Sequence, residues 1–370
     1  MSQAAGLITL PLMVRTLTSA EYGAIEVITA ATGYFSLLIG LNTQSGLYRY
    51  FYEVEEDQAE QKKLVSTAVW FVFLCGLIVA GISVLLSPLF SQNLFGSDAY
   101  TDFIQLAFLA LIPVAIYNYS MGLLRIQNKA LPYNIISLIV SFFYMGSIIL
   151  LVGVLKIGIP GYYYSQIIAN CVGASIALYL SRDLLVPRFS TYWFKILAKY
   201  SFPLVPGSLL AWSLSANNRL FLNASADQVQ VAYYAVANKA AVIITLATQA
   251  FCNAWEPMMY ELLKQEEKVR TKLPPILSLY TFGSLSLSIL IMTVAREIFL
   301  ILAPPEYLAG IGLLAIIQLR WIFTMGVYVI DPGTAKSGKT YWVTIILAIA
   351  VVINLFANSV LTPRIGLYGA

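Results

Sequence analysis

Few residues of this chain could carry out chemistry. It has 370 residues and no histidine, which excludes a histidine-based triad, a histidine proton relay and a histidine metal site. Cys75, Cys171 and Cys252 lie far apart within apolar runs, so neither a disulfide framework nor a zinc motif is readable. The remaining candidates are charged side chains within or beside apolar segments, and we expect no cofactor.

The composition indicates a membrane protein. Hydrophobic residues make up 59% of the chain and charged residues only 11%, whereas a soluble domain carries about 25% charged residues. A helix needs about 20 apolar residues to cross the hydrocarbon core. Ten stretches of about that length or more carry no charge or a single cation, and they predict an all-α polytopic membrane protein: 27–48, 64–97, 103–124, 130–155, 157–181, 200–218, 230–255, 273–295, 307–330 and 340–363.

A shorter apolar segment, residues 4–14, is about half the length of a span. We interpret it as the middle of a first helix, in a chain that is truncated at its start or has a helix broken at Pro11. A cleaved signal peptide is the alternative, but no basic residue precedes the segment and Arg15 follows it.

The loop charges predict the orientation, because cytoplasmic loops carry the excess of Lys and Arg. With a cytoplasmic N-terminus, the opposite side holds only Arg15, Lys156 and Arg364. The predicted cytoplasmic loops hold the larger set: Arg49, Lys62, Lys63, Arg125, Lys129, Arg182, Arg188, Lys195, Lys199, Lys264, Lys268, Arg270, Lys272, Lys336 and Lys339. No loop is long enough for a separate domain, so the function must lie within the helix bundle.

Two short motifs recur at nearly one spacing. Residues 157–161 (IGIPG) return as 365–369 (IGLYG), and residues 19–21 (SAE) return as 225–227 (SAD), at offsets of 208 and 206. Such a duplication is typical of transporters. It predicts two pseudo-symmetric six-helix lobes, truncated at both ends. The predicted boundaries are 1–181 for the first lobe, 182–199 for a cytoplasmic amphipathic linker, and 200–370 for a second lobe that lacks its last helix.

Several motifs together resemble one family. The start of the chain matches the pattern P-x-x-x-R-x-L-x-x-x-x-Y-G, at Pro11, Arg15, Leu17 and Tyr22-Gly23. This pattern resembles the N-terminal motif of the polysaccharide transporters. These are the Wzx-like lipid-linked oligosaccharide flippases of the multidrug/oligosaccharidyl-lipid/polysaccharide superfamily (MATE-like). The other matching segments are 46–51, 201–206, 233–239, 254–257, and Asn354 and Asn358 with 363–370. Members often carry an acidic residue before the arginine of the seventh helix. Asn218 stands there instead, which removes the local ion pair of the family pattern for Arg219.

The resemblance implies a substrate whose pyrophosphate needs cationic partners, since arginine can bind phosphate oxygens bidentately. A charge at bilayer depth costs about 2.5–3.5 kcal/mol on insertion scales, so it should face a partner or a wet cavity. We therefore predict that Arg219, Lys239 and Arg320 bind substrate, and we add Arg49 from the second-helix motif. Snorkelling to the interface is the alternative for Arg219.

Three carboxylates are candidates for binding a coupling ion: Glu26, Glu256 and Asp331. Glu256 is predicted to lie at the cytoplasmic end of its helix, where the helix dipole disfavours a carboxylate. Asp331-Pro332-Gly333 also reads simply as a helix stop and a turn.

The resemblance implies a flippase, not an enzyme, that moves a lipid-linked oligosaccharide across the cytoplasmic (inner) membrane during surface-polysaccharide synthesis, such as that of the O-antigen of lipopolysaccharide. Its expected partners are that substrate, membrane lipids and polysaccharide polymerase or assembly proteins, with no nucleic acid, and it is expected to be a monomer. One alternative is a cation-coupled multidrug exporter of the same superfamily. A polytopic glycan polymerase or ligase is another, but such enzymes usually need a large outer loop or a histidine.

Overall fold

The computed structural model describes residues 3–54, 57–262, 266–330 and 341–370. All regular structure within these ranges is helical, which confirms the all-α prediction. The first lobe consists of eight helices: α1 (Gln3–Thr16), α2 (Ser19–Gly40), α3 (Thr43–Glu53), α4 (Gln58–Leu85), α5 (Ser87–Phe95), α6 (Thr101–Ile126), α7 (Ala130–Ile148, continued by a π-helical turn, Ile149–Val154) and α8 (Ile159–Leu180).

A short helix, α9 (Thr191–Ser201), connects this lobe to the rest of the chain. It packs on α3 and α4, and the indole Nε1 of Trp193 donates a hydrogen bond of 2.7 Å to Glu60 Oε2. The second lobe consists of α10 (Val205–Ser225), α11 (Gln228–Ala240), α12 (Val242–Leu262), α13 (Glu266–Thr293), α14 (Ala295–Leu302), α15 (Ile311–Ile330) and α16 (Tyr341–Ile365).

Most of the predicted spans are helices of membrane-spanning length. In the described ranges, 7 helical segments are long and apolar enough to cross a membrane, and the bent pair α11–α12 raises this to 8. The two other predicted spans correspond to α8 and α10, which have 22 and 21 residues. They are more polar, because α10 carries Asn217, Asn218 and Arg219 and α8 carries a run of tyrosines.

One predicted span is two helices. Residues 64–97 form the end of α4 and then α5, which begins at Ser87 with a proline in its first turn. At a rise of about 1.5 Å per residue, the whole segment is longer than the hydrocarbon core, which is about 30 Å thick. Proline is tolerated in the first turn of a helix and is unfavourable in its interior. The helix therefore ends before this proline, and a new helix begins.

The N-terminus of α2 is fixed by a capping box. Thr18 Oγ1 accepts a hydrogen bond of 3.2 Å from the backbone N–H of Glu21, and Glu21 Oε2 accepts one of 2.8 Å from the backbone N–H of Thr18. The side chain of Asp227 caps α11 in a similar position, accepting from Gln230 N at 2.8 Å. The repeated motifs around residues 19 and 225 therefore mark the starts of two corresponding helices.

The two lobes meet along α2. This helix packs against both α10 and α11. Between α11 and α12 the chain bends by 41°, and α12 then packs on α13 and α15 of its own lobe. We call the end of the bundle at which α2 and α11 begin the outer end, and the end at which α3 and α9 lie the inner end, following the orientation predicted from loop charge.

Candidate functional site

An ion pair joins the two lobes near the outer end. Glu26 lies two turns into α2, and Arg219 lies in the last two turns of α10. Their Oε2 and Nε atoms are 3.2 Å apart, and the side chains are only 12% and 17% exposed. Arg219 Nε forms no hydrogen bond within the described residues, so the contact is Coulombic rather than a charge-assisted hydrogen bond. Arg219 thus has an acidic partner, supplied by the other lobe instead of by its own helix.

Glu26 also contacts a tyrosine of its own helix. The hydroxyl of Tyr22, one turn earlier on α2, donates a hydrogen bond of 3.2 Å to Glu26 Oε1. Because Tyr22 and Glu26 are four residues apart, they share one face of α2. The predicted coupling-ion candidate is therefore held between a phenol and a guanidinium.

A network of buried amides lies deeper in the interface. We call Asn217 and Asn218 on α10, with Asn354 and Asn358 on α16, the asparagine network. Asn354 Nδ2 and Asn358 Nδ2 both donate to Asn218 Oδ1, at 3.2 and 3.1 Å, and Asn217 Nδ2 donates to Asn354 Oδ1 at 3.4 Å. The two asparagines of α16 are one turn apart, so both face α10.

The network extends to a third and a fourth helix. Asn218 Nδ2 donates to the hydroxyl of Tyr234 on α11 at 3.0 Å. The hydroxyl of Tyr34 on α2 donates to Asn217 Oδ1 at 3.0 Å. Tyr34 belongs to the first lobe, so the asparagine network connects the lobes with uncharged groups. The sequence points to these amides only through the family resemblance, at Asn354 and Asn358 and at Asn218, which stands where members often carry an acidic residue.

Two further cations of the interface contact the opposite lobe. Lys239 is half-buried on α11, and its Nζ lies 3.3 Å from where a Cβ on Gly6 of α1 would stand. Arg15, at the end of α1, donates through Nη2 to the carbonyl oxygens of Leu300 and Ile301 at 3.3 and 3.2 Å. These carbonyls belong to the last turn of α14, where the helix dipole favours a cation.

The two other predicted substrate-binding residues lie elsewhere. Arg320 is half-buried on α15, with its guanidinium 5.1 Å from the centre of the Trp321 ring. Arg49 lies on α3 at the inner end, 3.7 Å from Glu53 and 4.9 Å from the ring centre of Tyr200. Its side chain is 54% exposed. Arg219 therefore pairs with Glu26 where α10 meets α2, and Lys239 lies where α11 meets α1. Arg49 lies at the inner surface.

The other two carboxylate candidates are described only in part. The backbone of Glu256 lies within α12, which continues to Leu262. The prediction that Glu256 ends its helix is therefore wrong, because the helix tolerates Pro257 and runs past it. The side chain of Glu256 and the whole of Asp331 lie outside the described residues. Where the structure is described, no group of three or more His, Cys, Asp or Glu side chains could hold a metal ion.

A polar cavity at the inner end of the first lobe was not predicted. Two adjoining spaces, of about 360 and 580 Å³, are lined by α2, α3, α6 and α7, with Val72 of α4. Both are bordered by Gln44, Tyr48, Asn118 and Arg125. Arg125 had been counted only as a loop charge that fixes orientation. Its spacing from Tyr133, across a short turn between two spans, is the sequence signal that could have suggested a site.

Comparison with solved structures identifies the fold. The chain is similar over 100% of its length to the inward-facing conformation of a multidrug resistance MATE family transporter of the MOP superfamily, at 17% identity and a TM-score of 0.72, covering 89% of that chain. A Vibrio cholerae MATE transporter is similar over 99% of this chain and 87% of its own, at 15% identity and a TM-score of 0.61. At such identities the likeness establishes the fold alone. The protein has the MATE-like transporter fold.

The family follows from the sequence. The family model described as "Polysaccharide biosynthesis protein" matches residues 12–309. The chain therefore belongs to this family of polysaccharide biosynthesis proteins, and the resemblance read from its motifs is confirmed. No curated protein sequence matches it. Family and fold together make it a multi-pass membrane protein of the transporter type.

Proposed function

We propose that the protein is a flippase that moves a lipid-linked oligosaccharide, a glycan on a polyprenyl pyrophosphate, from the inner to the outer leaflet of the cytoplasmic membrane. The proposed orientation has the N-terminus in the cytoplasm, as the loop charges predict. In this orientation the polar cavity lies at the end of the first lobe nearer to the side on which lipid-linked glycans are assembled.

The observation that carries the proposal is the change in direction between α11 and α12. In the outer half of the bundle α11 packs against α2 of the opposite lobe, and after the 41° bend α12 packs within its own lobe. Near the outer end α11 thus contacts the first lobe, whereas α12 packs within its own lobe. α2 and α10 keep the lobes in contact toward the inner end, where Asn42 Nδ2 donates a hydrogen bond of 2.8 Å to Ser208 Oγ. Such an arrangement supports alternating access, in which one lobe rocks against the other about a fixed contact.

The contacts at the outer end support the same cycle. Three polar contacts join the lobes there: the Glu26–Arg219 pair, the hydrogen bond of 3.2 Å from the Tyr100 hydroxyl to Gln228 Oε1, and the contacts of Arg15 with the end of α14. Polar contacts exchange for water at small net cost, because the separated groups remain solvated. When these contacts open, Arg219 and Lys239 become available to a pyrophosphate, and we propose that they bind it during passage.

Reconstitution of the full chain tests the proposal. Proteoliposomes containing a fluorescent oligosaccharide on polyprenyl pyrophosphate are exposed to a membrane-impermeant glycosidase, and the cleaved fraction is followed over time. We expect cleavage to rise from about one half of the lipid in protein-free vesicles toward completion. An unchanged fraction would contradict the flippase function. Uptake of a cationic dye along an ion gradient in the same vesicles would instead support the multidrug exporter.

A further inference from the structure

The polar cavity at the inner end of the first lobe has a composition that suggests a ligand. Among the described residues, Arg125 is the only charged side chain that lines its two spaces, and none of Arg49, Arg219, Lys239 or Arg320 borders them. Phenol, amide and hydroxyl groups form most of the remaining polar wall, among them those of Tyr48, Asn118, Tyr133 and Ser137. Binding sites for small polar ligands combine a shaped wall with a few such groups that fix orientation.

The side chains of the wall are already ordered. Gln44 Nε2 donates a hydrogen bond of 2.7 Å to the hydroxyl of Tyr48. Gly122 on α6 makes room for this pair, since a Cβ there would lie 1.8 Å from Gln44 Nε2 and 2.9 Å from the Tyr48 hydroxyl oxygen. Ordering the wall before the ligand arrives reduces the entropy cost of binding.

Arg125 is held at one edge of the cavity. Its guanidinium lies 5.5 Å from the ring centre of Tyr133, and Nη2 donates to the Tyr133 hydroxyl at 3.3 Å. A guanidinium has five N–H donors in a planar fork. One of them is used by Tyr133, and the others remain for a ligand. A planar fork matches the two oxygens of a carboxylate.

We propose that this cavity binds a saccharide that carries one carboxylate, such as a hexuronic acid residue, with Arg125 pairing with the carboxylate. The amides and phenols would bind sugar hydroxyls, and the tyrosine faces would contact the sugar ring. A pyrophosphate fits less well, because it carries at least two negative charges and the described wall offers one cation. The inference rests on the proposed function, since it specifies that the transported glycan contains an acidic sugar.

Binding of free disaccharides tests the assignment without requiring transport. The full chain in nanodiscs of zwitterionic lipid is titrated with a disaccharide ending in glucuronate and with the matched disaccharide ending in glucose, followed by saturation-transfer NMR. We expect the acidic disaccharide to bind at least about tenfold more tightly than the neutral one, because a hydrogen bond to a charged group contributes that much affinity. Arg125→Gln should abolish this preference, and Arg125→Lys should retain part of it.

Arg182 provides a matched control. It follows α8 at the inner end and lies 4.3 Å from the ring centre of Tyr179, so it is also an arginine stacked on a tyrosine, but it does not border the cavity. Arg182→Gln should leave the preference for the acidic sugar unchanged. Gly122→Leu serves as a second variant, which fills the cavity and should weaken both sugars, while its melting temperature reports that the chain is folded.

Several outcomes would overturn the assignment: equal binding of the two disaccharides, no binding of either, or unchanged binding by Arg125→Gln. Inorganic pyrophosphate is added as a competitor. If it binds more tightly than the acidic disaccharide and displaces it, and if this binding requires Arg125, the cavity is a phosphate site instead. Loss of flipping with the sugar preference retained would refute only the flippase. Flipping without the sugar preference would refute only the acidic-sugar site.

Discussion

At the scale of single residues, Glu26 and Arg219 neutralise one another at a depth where an isolated charge is costly. Their side chains come from different lobes and are 12% and 17% exposed. Removing one partner of a mostly buried pair leaves the other charge uncompensated, which costs about 3 kcal/mol or more. The pair therefore stabilises the contact between the lobes, and mutating it reports how strongly the outer end is held closed.

A double-mutant cycle measures this contact. We expect Glu26→Gln and Arg219→Gln each to lower the melting temperature of the protein in nanodiscs and to slow flipping. The double variant should be less destabilised than the sum of the two, because it leaves no unpaired charge. The coupling energy follows from the four melting temperatures at one heating rate. Strictly additive effects would show that the two side chains do not interact in the membrane.

The asparagine network makes a second prediction at this scale. Asn218→Leu removes the acceptor of Asn354 and Asn358 and the donor to Tyr234. Each buried polar group left without a partner costs about 1–3 kcal/mol, so we expect a large loss of stability in thermal unfolding.

Asn93→Leu is the control for the network, since Asn93 is exposed and, within the described part of the chain, its Nδ2 donates only to the carbonyl of Leu89 one turn earlier on its own helix. Its melting temperature should change little. Equal melting temperatures for Asn218→Leu and Asn93→Leu would show that the network contributes nothing to stability.

The charges show how far residue-level reasoning reached. The cost of a charge at bilayer depth predicts that Arg219 faces a partner or a wet cavity, and its substrate-binding role stays a prediction. Its partner could not be predicted, since Glu26 is distant in sequence and meets it only when α2 packs on α10. Arg125 was missed for a related reason. From sequence, a cation between two spans is indistinguishable from an ordinary loop charge. Only the packing of α2, α3 and α7 around it shows that Arg125 borders a cavity.

At the scale of helices, the approach of α2 to α11 depends on one glycine. A Cβ on Gly23 would lie 1.8 Å from the carbonyl oxygen of Gln228. That oxygen belongs to the backbone, so a side chain at residue 23 must push the helices apart. Gly33 similarly makes room for the indole of Trp212, whose Nε1 donates to the carbonyl oxygen of Ala30 at 3.1 Å.

Gly23→Ala should therefore loosen the outer end. We expect faster hydrogen–deuterium exchange in residues 228–240 and a lower melting temperature. Gly81→Ala is the matched control: residue 81 also lies within a helix, and a Cβ there meets nothing within 4 Å. Alanine favours helix over glycine by about 1 kcal/mol, so this control should be neutral or slightly stabilising. Similar exchange in both variants would contradict the close contact.

Helix positions were largely predictable, and their interruptions only in part. Apolar length predicts a span because the bilayer imposes a thickness that does not depend on the fold. The break between α4 and α5 has a signal in the sequence, a segment longer than one span with a proline at the start of α5. The bend between α11 and α12 depends on which lobe each helix packs against, and that information is not contained in the hydropathy of the segment itself.

At the scale of the whole molecule, the proposed cycle closes the inner end of the bundle and opens the outer end. Spin labels at positions 134 and 272, at the starts of α7 and α13, report the inner end. Labels at positions 93 and 306 report the outer end. In a background without the native cysteines, we expect the lipid-linked substrate to shorten the inner distance and to lengthen the outer one in pulsed electron spin resonance.

The two distances should change in opposite directions in the same sample, because the lobes rock as rigid bodies. The nanodiscs without substrate give the reference distributions, and free polyprenol is the control for the lipid tail. Changes of the same sign at both ends would indicate swelling of the bundle and would contradict rocking.

The close contact between Gly23 and the backbone of Gln228 also bears on how the cell keeps its membrane energised. Where a methyl group does not fit between two helices, a file of water molecules does not fit either, and protons cross proteins along such files. Together with the Glu26–Arg219 pair, this contact should block a proton path between α2 and α11 in the resting protein. A loosened variant would then dissipate the membrane potential and slow growth even under conditions in which the cell needs no surface glycan.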